Sequence, residues 1–484
     1  MADGFDWAAL PDVPIVRILT HLTHEDKLAA SATCKRWRAC LFRSEFWCNV
    51  SIQFNCWERK RSKFLAKNCG RFVRAAVVKF NSRIFNEAAQ CLDVLEYVSR
   101  NRNLETFSLQ PSSCHLNLPE FDERPLTDAD NRSIKRCMYL IKKLVLTARC
   151  LRHFSLGCME VLQEATPDLL PALTQRHALS LQTLHLASVK EDWHYNILEI
   201  SPEALTPFRS LQALSLDYDN LSTSLLLSLA EPGCCQLREL SLLVHGVRPG
   251  LVHVENQAWW QARQTLTQLE VTLVMLHTYE GVAALTSILQ PQMPLVRLRQ
   301  YFCSQVNVAA ITFIGNHLSE EFRELEIVEE MENRQPQPYH SSCAEDPFVM
   351  LAWRCHSLHS LRLIGIELAA MDIVAIARLR GPRLWRLEVS LSCLVHWVSD
   401  DDLDFDGVSC SVPLSHLSEE EKYDFYSQVS ESLGHEWYPL WDRQLPPAVL
   451  YSDQDAERAY MAVLLKDQNP CQDLNNNSCK PFIL

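Results

Sequence analysis

Glycine is scarce in this chain, at 12 of 484 residues, which counts against collagen-like and glycine-loop architectures. No apolar run reaches the roughly eighteen residues that a membrane-spanning helix needs, so no span is expected. The opening Met1-Ala2-Asp3-Gly4-Phe5-Asp6-Trp7 lacks the basic stretch and apolar core of a secretory signal. Cysteine is plentiful, at 19 residues, but the number is odd and no Cys-x-x-Cys pair occurs. The spacings Cys34–Cys40, Cys48–Cys56 and Cys471–Cys479 suit neither zinc ribbons nor knuckles. Reduced thiols in a cytoplasmic or nuclear protein are expected, with no structural metal. Also missing are Gly-x-Ser-x-Gly, a phosphate-cradling glycine loop, His-Glu-x-x-His and the Cys/His spacing of a RING. Neither catalytic residues nor a cofactor are expected.

What is present is an ordinary globular composition, 47% hydrophobic, with a net charge of −13 that is unevenly placed. From Ser399 to the C-terminus 17 Asp+Glu stand against 5 Lys+Arg. Between Trp57 and Asn103 the sign reverses, with 11 Lys+Arg against 4 Asp+Glu. An acidic chain does not suggest general nucleic-acid binding. The local basic run is read first as a solvated helix face, Trp57 to Asn68, ended by Gly70, and second as a surface for an acidic partner.

The rest of the chain is organised around the stretch from Leu10 to Trp47. Ile15, Ile18, Leu19 and Leu22 recur at i, i+3, i+4 and i+7, one apolar stripe on a short helix that Asp12 can cap, with Pro14 in its first turn. Thr23 with Asp26 opens a second helix through Leu28. Cys34-Lys35-Arg36-Trp37 leads a third, and Ser44 starts a last turn ending at Trp47. So short a stretch cannot bury all of these apolar groups by itself, so part of the stripe is expected to stay exposed as a partner site.

From Asn103 a pattern of apolar, two variable, apolar, one variable, apolar returns. It runs Leu104-Phe107-Leu109, Leu151-Phe154-Leu156, Leu181-Leu184-Leu186, Leu211-Leu214-Leu216 and Leu237-Leu240-Leu242. It continues as Leu266-Leu269-Val271, Phe322-Leu325-Ile327, Leu358-Leu361-Leu363 and Leu384-Leu387-Val389, with Leu295-Leu298 a degraded copy that carries Gln300 in the third apolar place. Helical stretches lie between, such as Leu221–Leu229, Tyr279–Leu289, Val308–Leu318 and Met371–Leu379. The period predicts an α/β leucine-rich-repeat solenoid, one strand and one helix per unit, curved with its strands on the concave face. The fifth motif positions should face outward there: small and polar early (Ser155, Ser215, Ser241, with His185), charged later (Glu270, Arg299, Glu326, Arg362, Glu388). His185 and the charged residues are the candidate substrate contacts.

Polar stretches 119–132 and 333–338 read as surface loops. Asp400 to Asp406 reads as an acidic linker that fails the calcium-loop pattern, lacking Gly at its sixth place. Ser418 to Glu421 is a capping box opening a helix with Tyr423, Tyr426, Val429 and Leu433 at helical spacing, and Trp437 and Trp441 are expected to dock on the last repeat. Composition divides the chain into 1–50 (helical), 51–100 (basic helix and linker), 101–398 (solenoid), 399–466 (acidic linker and helix) and 467–484 (disordered tail). The helical and repeat parts are expected to bury separate cores.

The order of Leu10-Pro11, Ile18-Leu19, Leu22, Asp26-Lys27-Leu28, Cys34-Lys35-Arg36-Trp37 and Trp47 resembles an F-box. An F-box ahead of leucine-rich repeats resembles the substrate receptors of SCF ubiquitin ligases. Segments along most of the chain resemble the F-box only protein 33 family: Asn101 to Leu104 with Phe107-Ser108-Leu109, Leu240 to His245, Glu345 to Cys355, and Ile376 to Gly381. That resemblance implies a non-catalytic receptor. Leu10, Pro11, Ile15, Ile18, Leu19, Leu22, Leu28, Cys34, Trp37 and Trp47 would bind a Skp adaptor, which bridges to cullin and RING subunits. The repeats would hold a protein substrate for ubiquitination and proteasomal degradation. Competing readings are a repeat scaffold outside any ligase and an enzyme that carries ubiquitin on an activated cysteine.

Overall fold

The computed structural model describes residues 7–116, 128–163, 166–190, 195, 200–246, 251–331, 336–337, 345–397, 411–451 and 456–467. Of loop 333–338 only Pro336 and Gln337 are described, and the acidic stretch Asp400–Asp406 and nearly all of the expected tail fall outside the described residues. The chain divides into two compact units, 1–183 with 465–484, and 184–464.

The first unit starts with four short helices: α1 (Asp12–Thr20), α2 (His24–Thr33), α3 (Lys35–Leu41) and α4 (Ser44–Trp47). Pro11, and not Asp12, occupies the N-cap of α1. The Asp12 carboxylate turns instead to Arg36 (3.3 Å) and Arg43 (3.4 Å), and so ties α1 to α3 and to the α3–α4 connection. Thr23 caps α2 as its sequence suggests, accepting from the Asp26 N–H at 3.2 Å. The Cys34 sulfur caps α3 by accepting from the Trp37 N–H.

A parallel sheet follows: β1 (Ser51–Asn55), β2 (Ala75–Phe80), β3 (Thr106–Pro111) and β4 (His153–Ser155), paired in sequence order. The helices α5 (Arg59–Cys69), α6 (Phe85–Val98), α7 (Asp128–Thr147), α8 (Glu160–Gln163) and α9 (Thr166–His177) fill the connections. Parallel pairing demands a crossover of this kind after every strand. The strand series thus begins at Ser51, ahead of the basic helix and of the first leucine motif at Leu104. The signal was the alternation of buried Ile52 and Phe54 with half-buried Ser51, Gln53 and Asn55. Gly70 ends α5 in a right-handed conformation (φ −53°), so it is not the left-handed cap that its position suggested. The stretch expected to loop from 119 to 132 is already helical from Asp128.

β5 (Thr183–His185) stands where one unit gives way to the next. The second unit contains α10 (Pro202–Leu205), β6 (Ala213–Asp217), α11 (Thr223–Leu229), β7 (Glu239–Val244), α12 (Asn256–Thr265), β8 (Glu270–Leu276), α13 (Tyr279–Ala283), α14 (Leu285–Ile288) and β9 (Leu295–Tyr301). It continues through α15 (Val308–His317), β10 (Glu324–Val328), α16 (Pro347–Arg354), β11 (Ser360–Ile364), β12 (Leu368–Ala369), α17 (Ala370–Arg380), β13 (Arg386–Val389), β14 (Leu394–Trp397), β15 (Ser411–Pro413), α18 (Glu419–Leu433), α19 (Pro447–Leu450) and most of α20 (Ala456–Asp467), whose residues from Leu465 onward belong to the first unit. Strands β6 to β11 and then β13 pair in parallel, in order. One apolar residue after another on their inner side is buried: Leu240, Leu242, Leu273, Leu298, Leu325, Leu361 and Leu387. The array is therefore the mixed α/β repeat fold that the leucine spacing predicts.

One detail of the repeat reading is corrected. Between β8 and β9 the pairing runs Val271 with Leu295 and then Thr272 with Arg297, which leaves Val296 as an extra residue. The motif frame has slipped by two places already between β7 and β8, where Leu240 pairs with Val271 and not with Leu269. Glu270 consequently pairs with Glu239, while Arg299, Glu326, Arg362 and Glu388 continue a row that holds Leu243 and Val274 in the earlier strands. Gln300, the misfit of the degraded copy, is buried with a purpose. Its amide donates to Glu329 Oε1 and to the Gln305 carbonyl, both at 2.6 Å.

The capping box at Ser418 and Glu421 opens α18, and Gly434 closes it in the left-handed region (φ 75°). Its buried face is Phe425, Val429 and Leu433, whereas Tyr423 points to solvent. Trp437 docks as expected, donating from Nε1 to the Leu387 carbonyl at 2.7 Å, while Trp441 stays exposed. The Leu440 N–H bonds the Val389 carbonyl, so the free edge of β13 is covered.

Candidate functional site

The helical domain sorts its apolar stripe into two sets. Ile15 and Leu19 are fully buried, with Cys40, Leu41, Phe46 and Trp47. The Trp47 indole donates to the Leu41 carbonyl at 2.7 Å, which fixes its ring inside the domain. These three predicted contacts, Ile15, Leu19 and Trp47, therefore build the domain's own core in the free chain. Leu10, Ile18 and Leu22 remain half-exposed, Pro11 is exposed, and Cys34 and Trp37 are half-exposed. The Leu28 side chain lies outside the described residues. Two exposed apolar residues were missed by sequence reasoning, Trp7 and Val13, the latter 74% accessible. The Trp37 indole donates to the Trp7 carbonyl at 3.1 Å and so holds that N-terminal turn beside α3. Water-facing apolar side chains gathered on one small domain mark a binding surface.

The domain is not isolated from the first repeat. Phe42 stacks on Trp47 at 6.2 Å and meets Phe64 of α5 edge-on at 5.4 Å. The chain passes from α4 into β1 within four residues, and the Arg74 N–H bonds the Val50 carbonyl.

The charged outer positions of the later strands are committed to one another. In the outermost row the sign alternates from strand to strand, Arg299, Glu326, Arg362, Glu388, with each residue opposite the next. Arg299 and Glu326 are 3.9 Å apart, Arg362 bonds Glu326 directly, and Arg362 reaches Glu388 at 3.0 Å. The neighbouring row interlocks with it. Glu324 takes Arg299 at 2.9 Å and Arg297 at 3.9 Å, and Arg386 binds Glu388 at 3.0 Å. Glu270 sits apart from that row, neutralised by Arg297 (3.4 Å) and Arg323. Glu326 retains only 3% side-chain exposure. Such a ladder presents a neutral surface whose charges are already satisfied. The earlier fifth-position residues Ser155 and Ser215 are buried, while His185 and Ser241 are half-buried.

A second polar cluster gave no sequence signal beyond Asp217 ending an apolar strand. Lys190 Nζ lies 2.9 Å from Asp217 Oδ2, both nearly inaccessible, and the Ser188 N–H donates to Asp217 Oδ1 at 2.8 Å. Lys190 also stands 5.3 Å from the centre of the Tyr195 ring. His245, in the same cluster, is held down to about 4 by burial and stays neutral.

The fifteen described cysteines are free thiols, eleven of them buried. Burial pushes Cys69, Cys137, Cys235, Cys303, Cys355 and Cys393 upward, the reverse of an activated thiolate. Among the described residues no helix is long and apolar enough to cross a membrane.

Helices of this size, closed by Trp47 and leading into a strand-and-helix array, define a class. Residues 7–53 match the F-box-like family model, so the chain carries an F-box-like domain ahead of its repeats. Along its length it is similar to F-box only protein 33. The human protein is 27% identical over 90% of this chain and 83% of its own length, and the mouse protein matches to the same extent. Mouse F-box/LRR-repeat protein 21 is 23% identical over 90% of this chain and 89% of its own. Among solved structures, a chain from the crystal structure of the Rad7 and Elc1 complex in yeast superimposes with a TM-score of 0.37 at 15% identity, covering 82% of this chain and 92% of that one.

Proposed function

We propose that this chain is the substrate-recognition subunit of an SCF-type ubiquitin ligase, acting in the cytoplasm or nucleus. The observation that carries the reading is the incompletely covered apolar set on the F-box-like domain: around α1, Val13 is exposed and Leu10, Ile18 and Leu22 are half-exposed, while Ile15 and Leu19 hold the helix in place. A Skp adaptor covers that set and links the chain to cullin and RING subunits. The repeats hold a protein substrate for ubiquitination and degradation, and the chain itself does no chemistry. Raised thiols speak against a ubiquitin-carrying cysteine.

The test is co-purification with the adaptor. Wild-type chain should bind, and Ile18→Ala with Leu22→Ala should abolish capture, since a buried interface anchor costs about 2 kcal/mol or more on truncation. Both side chains are half-exposed in the free chain, so the variant should keep its fold and circular dichroism spectrum. Wild-type affinity in the double variant would displace the site. Failure of the intact chain to bind would favour a repeat scaffold working outside a ligase.

A further inference from the structure

Helices α17 and α18 lie side by side at the C-terminal end of the second unit and leave an open cavity of about 570 Å³ between them. Its floor is apolar: Val374 from α17, Phe425 from α18 and Leu414 with Leu417 from the approach to α18. Met371 stands at the lip, 57% accessible, so an exposed apolar side chain borders an apolar hollow. The α18 side of the rim is acidic, with Glu420, Glu421 and Asp424 all exposed.

Nearby cations do not balance this rim. Lys422 is turned to Glu419 at 2.9 Å, and Arg378 donates to Gln428 at 3.0 Å. Glu421 is partly engaged by the N–H of Ser418 at 2.9 Å, and Asp424 accepts from Gln428 at 2.8 Å. His396 is exposed on the opposite wall. Cavities of roughly 300–1,000 Å³ with apolar floors are the size that captures a small set of side chains. A field of one sign selects the opposite sign in the partner and repels the like sign.

We infer that the α17–α18 groove docks a short basic segment of a partner protein, with one or two apolar side chains seated on Val374, Leu417 and Phe425 and flanking lysines or arginines against Glu420 and Asp424. The Skp adaptor and ligase activity play no part in this contact. It stands or falls separately from the receptor reading.

The experiment uses the full chain and a fluorescein-labelled peptide with two central leucines flanked by lysine and arginine, followed by fluorescence anisotropy. An acidic peptide with the same leucines and a basic peptide with serines in their place are the comparisons. The basic leucine peptide should bind best. The double charge reversal Glu420→Lys with Asp424→Lys should weaken it by about tenfold, and should improve the acidic peptide. Both residues are exposed, so folding should be unaffected, and Met371→Glu offers an independent apolar lesion on the lip. A photo-crosslinker on the peptide should label α17 or α18. The inference is overturned if the basic peptide binds both chains equally, if serines serve as well as leucines, or if crosslinks fall only within residues 399–410. Self-association of the chain that the charge reversal abolishes would also overturn it, by assigning the groove to a second copy.

Discussion

In the first unit the buried ties between neighbouring repeats are neutral side chains, and the charged chain Arg74–Glu105–Arg152 lies at the more exposed strand entrances, while in the later strands of the second unit a charge ladder runs through poorly exposed positions. Asn101 is wholly buried, and its amide donates to the Gly70 carbonyl at 2.9 Å and the Val73 carbonyl at 2.7 Å while its oxygen accepts from the Asn103 N–H at 2.8 Å. His177 does similar work further on, accepting from the Leu151 N–H at Nδ1 and meeting the Val145 carbonyl at 2.8 Å with Nε2, which makes it a neutral imidazole. The second unit instead lays Arg299, Glu326, Arg362 and Glu388 across four strands. Both devices satisfy polar groups between successive repeats. They differ in what breaks them: a hydrogen bond to a buried carbonyl is indifferent to salt, and a charge ladder depends on every member being present.

The largest effect should follow from taking a middle rung out of the ladder. Glu326→Ala leaves both Arg299 and Arg362 short of a carboxylate in a poorly solvated place. Removing one partner of a buried pair costs about 3–5 kcal/mol. Urea denaturation should show the loss, and Arg362→Met in the same chain should recover part of it by removing an orphaned charge. An unchanged midpoint for Glu326→Ala would mean that the ladder is decoration, and that its charges are free to meet a substrate after all.

Next in size is a pH effect within the second unit. Burial raises Glu329 to about 7 against an ordinary value of 4.5, even though it accepts from Gln300 Nε2 and from the Ser304 N–H at 2.9 Å. The folded state holds this proton more tightly than the unfolded one. The stability it contributes is fully present below about pH 4.5 and is lost as pH rises through 7, on the order of 3 kcal/mol in all. His177 and His245, pushed down by burial, act in the opposite sense and lose stability as pH falls through 6.5. The difference between wild type and Glu329→Gln isolates the carboxylate: their stabilities should diverge progressively from pH 4.5 to 7, with the variant lacking the downward slope. Parallel pH profiles would show that Glu329 titrates normally.

The contrast between the units also shows what could be read beforehand. The leucine spacing reported which residues face the helices, because burial on one side of a strand forces that alternation on the sequence. Thr23 and Ser418 announced their helices by local chemistry alone. The partition of the α1 stripe was hidden, because whether Ile15 or Ile18 is covered depends on where α3 packs. The register of β8 was hidden too, as was the Val296 bulge beyond it: Leu266, Leu269 and Val271 satisfy the motif although β8 pairs with β7 two places away from it. With the frame misplaced, Glu270 joined the wrong row, and the alternation of sign in Arg299, Glu326, Arg362 and Glu388 looked like a mixed surface open to a partner. Pairing register is a tertiary quantity, and a single extra residue changes it without altering composition.

The smallest of these effects tests the neutral half of the comparison. Asn101→Ala removes one acceptor and two donors from a site with no access to water, leaving the Gly70 and Val73 carbonyls without these bonds. An unsatisfied buried group costs about 1–3 kcal/mol, and relaxation of the α5–β2 connection can return part of it, so a net loss of about 2 kcal/mol is expected. Because no charge is involved, the loss should be the same at low and high salt, whereas the effect of Glu326→Ala should shrink as salt screens the arginines left behind. Asn101→Asp sharpens the point: it keeps the acceptor for Asn103 but sets a carboxylate against two carbonyl oxygens, and should destabilise the first unit more than alanine does. Hydrogen exchange locates the damage. Amides of β2 and β3 should lose protection while those of β10 and β11 keep theirs, since in a repeat array each unit leans only on its neighbours. Loss of protection spread evenly over both units would show that the two halves of the array do not differ in the way their ties suggest.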